Sequence, residues 1–83
     1  MKLVYFAWVR ERIGMAEETV EPPRNVETVQ DLLGWLRTRG DAYDFALGES
    51  AAIRVALDHD HADHDASLAG VREVALFPPM TGG

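Results

Sequence analysis

Residues 28–40 read TVQDLLGWLRTRG, and the apolar side chains Val29, Leu32, Leu33 and Leu36 recur at i, i+3, i+4 and i+7. That spacing predicts one amphipathic helix with a single buried stripe. Thr28 followed three residues later by Asp31 resembles a capping box with Asp in place of the usual Glu. Arg37 and Arg39 stand in the last turn, where cations suit the helix dipole, and Gly40 predicts the stop. Before this helix, residues 3–7 form an apolar, aromatic-rich run of strand length, and residues 8–13 leave room for one or two helical turns before Gly14. Residues 17–21 (EETVE) predict a second strand closed by Pro22 and Pro23, so the first two strands make a hairpin-like edge. After the helix, residues 41–50 predict a short turn or helix pinned to the core by Tyr43, Phe45 and Leu47. Residues 53–57 (IRVAL) and 73–77 (EVALF) complete the strands. Strands at both ends with one main helix between them predict an α+β domain, a mixed sheet of four or five strands packed on that helix.

One helix covers one face of a sheet, and here both faces are apolar. Leu3 and Tyr5 oppose Val4, Phe6 and Trp8 in the first strand, and Val74 and Leu76 oppose Ala75 and Phe77 in the last. Small elements or a partner must cover the second face, and exposed aromatic clusters favour a partner over ordinary core for Phe6 and Phe77.

The 83 residues suffice for one domain, residues 1–83, and 47% hydrophobic with 27% charged residues is a globular composition. Net charge is −6, only Lys2 among the eight basic residues is a lysine, and no basic run occurs, which argues against nucleic acid as a partner. A basic protein surface suits this balance better. The opening MKLVYFAWVR is followed by the charged VRERIG rather than a cleavage site, and no stretch approaches a membrane span. A cytoplasmic chain with no membrane partner is expected. There is no cysteine, so disulfides, thiolate metal sites and cysteine nucleophiles are excluded together.

The sequence closes on FPPMTGG. Pro78 and Pro79 stiffen the exit from the apolar run VALF. Thr81, Gly82 and Gly83 have small side chains able to enter a narrow gap, and residues 80–83 are expected to be a flexible tail.

The start KLVYFAWVRERIG, the capped helix and the end EVALFPPMTGG together resemble the family of molybdopterin synthase small subunits, ubiquitin-like sulfur carriers with a β-grasp fold. The resemblance runs the length of the chain. It implies that the terminal glycine, Gly83, is adenylated with ATP by an activating enzyme and converted to a thiocarboxylate. The tail, with Gly82 giving it reach, then enters a large subunit in a heterotetramer of two small and two large chains. There it donates sulfur to cyclic pyranopterin monophosphate during molybdenum cofactor biosynthesis. The catalytic groups are expected on the large subunit, and no cofactor or metal on this chain. Family interface positions map onto Phe6, Phe77, Pro78, Pro79, Met80 and Thr81. A thiocarboxylate anion is a strong nucleophile without any cysteine, which suits a chain that has none. Carriers for thiamin synthesis or transfer-RNA thiolation share the terminal glycines, as would a ubiquitin-like modifier joining Gly83 to lysines. A plain interaction domain with an idle tail is the remaining alternative.

Between Leu57 and Leu68 the chain departs from the family's short turn and apolar strand. His59, His61 and His64 alternate there with Asp58, Asp60, Asp63 and Asp65, a composition able to bind a divalent metal. Without cysteine or an apolar surround, the segment reads instead as a solvated acidic hairpin tip.

Overall fold

The computed structural model describes residues 1–79. In chain order the elements are β1 (Lys2–Tyr5), α1 (Ala7–Ile13), β2 (Glu17–Thr19), α2 (Val29–Arg37) and α3 (Asp41–Leu47). A 3-10 turn (Ser50–Ala52) leads to β3 (Arg54–Leu57), β4 (Asp60–Ala62) and β5 (Glu73–Phe77). The strands form one sheet in the order β2-β1-β5-β3-β4. β1 and β5 pair in parallel, and the other neighbours are antiparallel. A parallel pair needs a long crossover, and here α2 lies within it. This is the β-grasp arrangement, with the five strands at the upper bound of the expectation. No helix among the described residues is long and apolar enough to cross a membrane.

The stripe Val29, Leu32, Leu33 and Leu36 of α2 is fully buried against Leu3, Tyr5, Val55, Val74 and Leu76 of the sheet. Burying one such side chain stabilises the fold by about 1.5–3 kcal/mol. Val9 and Ile13 of α1 and Ala46 and Leu47 of α3 close the ends of this layer.

The predicted cap on α2 is present. The Asp31 amide donates to Thr28 Oγ1 (3.2 Å), and the Thr28 amide donates to Asp31 Oδ2 (3.2 Å). The next orphan donors of the helix are met by a distant segment: the Val29 amide donates to the Ala66 carbonyl (3.1 Å) and Gln30 to that of His64 (2.8 Å). The His/Asp-rich stretch is therefore not one solvated tip. Asp58 and His59 turn the β3-β4 hairpin with positive φ at both residues, residues 60–62 form β4, and residues 63–68 strap the N-terminus of α2.

Three local expectations need correction. The helix ends at Arg37 with Thr38 as its cap, and Gly40 instead precedes α3 as its N-cap. β2 stops at Thr19, short of Glu21. Phe45 is 66% exposed rather than pinned in the core. Residues 43, 45 and 47 share a face in a strand, but α3 is helical, which turns residue 45 about 200° from residue 43. Ala46 is buried in its place.

On the helical side Glu18 of β2 ties the layers together. Its Oε2 accepts from the Tyr5 hydroxyl (2.7 Å) and the Tyr43 hydroxyl (2.6 Å), and its Oε1 accepts from Arg39 (3.0 Å). The buried Tyr5 hydroxyl thus has the partner it requires.

Candidate functional site

Strand parity separates the two faces of the sheet as the sequence predicts for Leu3, Tyr5, Val74 and Leu76, which point inward, but Trp8, expected on the outer face, lies in α1 and packs partly buried against the core. On the outer face the registers align Val4, Ala75, Ala56 and His61 in one row across β1, β5, β3 and β4. Alanine at the two central positions leaves a low floor. Beyond it, at the end of the sheet where β1 and β5 finish, stand Phe6 and Phe77. Arg54 pairs with Phe77 in register.

Phe6 lies one residue past β1 rather than within it, yet keeps an extended backbone (φ −126°, ψ 155°) as N-cap of α1. Its amide donates to the Leu76 carbonyl (3.1 Å), so it continues the sheet edge beside β5. Ala7 then takes a left-handed φ of 51°, unusual for a residue with a Cβ, and the chain turns directly into α1. This abrupt turn leaves the Phe6 ring on the outer face, 48% exposed. Gly14, at φ 93°, ends the same helix with its amide donating to the Arg10 carbonyl (2.8 Å).

The structure brings the two predicted aromatics together. Phe6 and Phe77 meet edge to face with ring centroids 6.5 Å apart, and His61 meets Phe77 at 5.6 Å in the same manner. His61 was not anticipated as a third ring, because its place depends on the register of β4, which has no apolar pattern to announce it. The opposite end of the outer face is polar: Lys2 lies 3.4 Å from Glu17 and 4.0 Å from Glu73. The apolar end is the one from which Pro78 and Pro79 lead away. Pro79, with Arg54, His61 and His64, lines an open groove of about 550 Å³ there. Met80, Thr81, Gly82 and Gly83, with the expectation of a flexible tail, lie outside the described residues.

The three histidines have separate engagements. His59 Nε2 is 3.7 Å from Glu73, His61 packs on Phe77, and His64 Nε2 is 2.7 Å from the Ile53 carbonyl oxygen. Among the described residues no three His, Asp or Glu side chains gather as a metal site. What the site offers chemically is an apolar surface with partly exposed rings at the root of a proline-stiffened segment, the features of a protein-docking face.

Comparison with known proteins agrees with the fold. The ThiS family profile matches residues 3–83. The chain is 32% identical over 83 residues to the molybdopterin synthase sulfur carrier subunit of Escherichia coli (strain K12), covering 100% of this chain and 99% of that protein. It is 28% identical to the subunit of the same name from Haemophilus influenzae, with the same coverage. Among solved structures, SAMP1 from Haloferax volcanii is similar with a TM-score of 0.75 and 28% identity, covering 100% of this chain and 98% of that one.

Proposed function

The chain belongs to the ThiS family, and from that premise we propose that it is the sulfur carrier subunit of a molybdopterin synthase, with the sulfur held at Gly83. The observation that carries this reading is the match to the Escherichia coli carrier subunit along essentially the full length of both chains. The docking face at the root of the tail supports it.

The chemistry assigns little to this chain beyond its terminus. A carboxylate is a poor acyl donor because its leaving group would be oxide. Attack of the Gly83 carboxylate on the α-phosphorus of ATP, in the activating enzyme, expels pyrophosphate and leaves an acyl adenylate. A sulfur nucleophile then adds to the acyl carbon and expels AMP, so a C–S bond replaces the C–O bond to phosphate and a thiocarboxylate results. Phe6, Phe77, Pro78 and Pro79 dock the carrier on the large subunit, Met80 and Thr81 continue the insertion, and Gly82 lets the end reach a confined catalytic centre. There the sulfur passes to the pterin precursor and hydrolysis returns Gly83 to a carboxylate.

Incubation with ATP, sulfide and the activating enzyme, followed by intact mass measurement, is expected to show one oxygen replaced by sulfur. A terminus one residue short or long displaces the acyl carbon by about 3.5 Å, where even ~1 Å can cost on the order of a hundredfold in rate. Deleting Gly83 or appending a residue therefore abolishes molybdopterin formation while docking falls only modestly, and Gly82→Ala is intermediate. A Gly83 deletion that still makes product at the normal rate overturns the assignment.

The likeness to SAMP1 favours one second reading, a ubiquitin-like modifier. Activation of Gly83 would be the same, with a lysine amine in place of sulfur as acceptor. Isopeptide-linked forms on many cellular proteins, detected by immunoblot, would support it.

A further inference from the structure

Between α1 and α3 lies a second, partly exposed cluster that sulfur loading does not use. Trp8 and Arg12 stand one turn apart on α1, and Phe45 reaches them from α3. The Arg12 guanidinium carbon is 4.3 Å from the Trp8 ring centroid and 4.6 Å from that of Phe45. Arg12 is exposed, as is most of Phe45. Two rings fix the long side chain in place and leave the N–H groups of the guanidinium as its means of polar contact, a rigid fork matched to a carboxylate. The arginines of the adjoining α2 segment are otherwise committed: Arg37 pairs with Asp44 and Arg39 with Glu18. Arg12 has no such salt bridge among the described residues, and of the arginines that share this lack, Arg10 and Arg54 among them, it is the one held over two rings. In a chain of net charge −6, that is a cation held ready amid a surplus of acids.

Position decides what the cluster serves. α1 starts where β1 and β5 end, and Trp8 follows Phe6 by two residues, so the helix that carries the stack springs from the rim of the apolar face. We propose that Trp8, Arg12 and Phe45 form the charged anchor of the docking interface and receive an Asp or Glu side chain of the large subunit. The proposal rests on the carrier reading above. The apolar centre supplies contact area, whereas the stacked guanidinium fixes orientation and speeds encounter, since rim charges act chiefly on association rate and its salt dependence. Holding the arginine in advance also lowers the ordering cost of the contact.

The test measures affinity and association rate of the purified large subunit for wild type, Arg12→Ala, Arg12→Lys, Arg12→Glu and Phe77→Asp, at low and high salt, with thermal melts of each free carrier. Arg12→Ala is expected to weaken low-salt binding about tenfold and flatten the salt dependence, in the range of a lost charge-assisted contact. Arg12→Glu weakens it further, and Arg12→Lys, which keeps the charge without the fork, falls between wild type and Arg12→Ala. If the stack only braces α1 against α3, Arg12→Ala lowers the melting temperature and leaves binding unchanged, which overturns the proposal. Weakening by Phe77→Asp with wild-type binding by Arg12→Glu overturns the anchor alone. Wild-type binding by both variants overturns the docking face as well.

Discussion

Glu18 shows how one side chain can hold a β-grasp edge in place. Burial raises the carboxyl pKa, but the hydrogen bonds from Tyr43, Tyr5 and Arg39 outweigh it and hold Glu18 below the ordinary value of 4.5. Burial and the same carboxylate push Tyr5 well above its usual range, so its hydroxyl stays protonated as a donor. A carboxyl whose folded pKa lies below its unfolded one stabilises the fold fully above the unfolded value. The contribution fades as pH falls through the lowered folded one. Acid unfolding of the wild type therefore draws on Glu18 below about pH 4.5. Glu18→Gln removes the charge and, in either orientation, sets its amide donors against Arg39 or the tyrosines. It is expected to cost about 1–3 kcal/mol at neutral pH and to lessen the loss of stability with acid, as urea unfolding at pH 7 and pH 3.5 would reveal. Equal stability of variant and wild type at neutral pH would show the clasp to be idle. Nothing in EETVE announces it, since the partners come from β1, the turn after α2, and α3, and only the tertiary fold brings them together.

At the scale of elements, legibility followed the strength of the local pattern. α2 was readable because four leucine and valine positions keep one period and Thr28 and Asp31 cap it reciprocally, so local and global preferences agree. α3 was harder because Tyr43, Phe45 and Leu47 imitate a two-residue alternation inside a helix. β4 was hidden for a different reason: three polar and small residues gain their strand conformation from pairing with β3, not from any propensity of their own. Of the candidate site, Phe6 and Phe77 were legible from parity, while His61 was lost with β4. The outer-face placement of both phenylalanines makes a clear separation of binding from folding. Replacing Phe77 with Asp is expected to weaken docking to the large subunit by about 2–4 kcal/mol, as for a central aromatic contact. The free domain should keep its circular dichroism spectrum and melt cooperatively. Unfolding of Phe77→Asp would mean that the ring serves the core after all.

At the scale of the whole molecule, the order in which the sheet is assembled matters. β5 is the last strand along the chain and the middle strand of the sheet, bonded to β1 on one side and β3 on the other. Residues 1–72 alone therefore leave two separate ribbons, β2-β1 and β3-β4, with the apolar stripe of α2 only partly covered, and two-stranded ribbons are marginal by themselves. That truncated chain is expected to show no cooperative melt and to lose amide protection throughout, whereas retention of a sharp transition would show that β5 is dispensable. During synthesis the ribosome releases β5 after every other element, and long-range pairing of this kind is slow to form. The segment that follows β5 is consequently presented by a finished domain: an incomplete translation product has neither the closed sheet that forms the docking face nor the residues beyond it. Closure of the sheet and presentation of the segment after β5 are thus a single event, so the face cannot exist on a chain whose central strand is still missing.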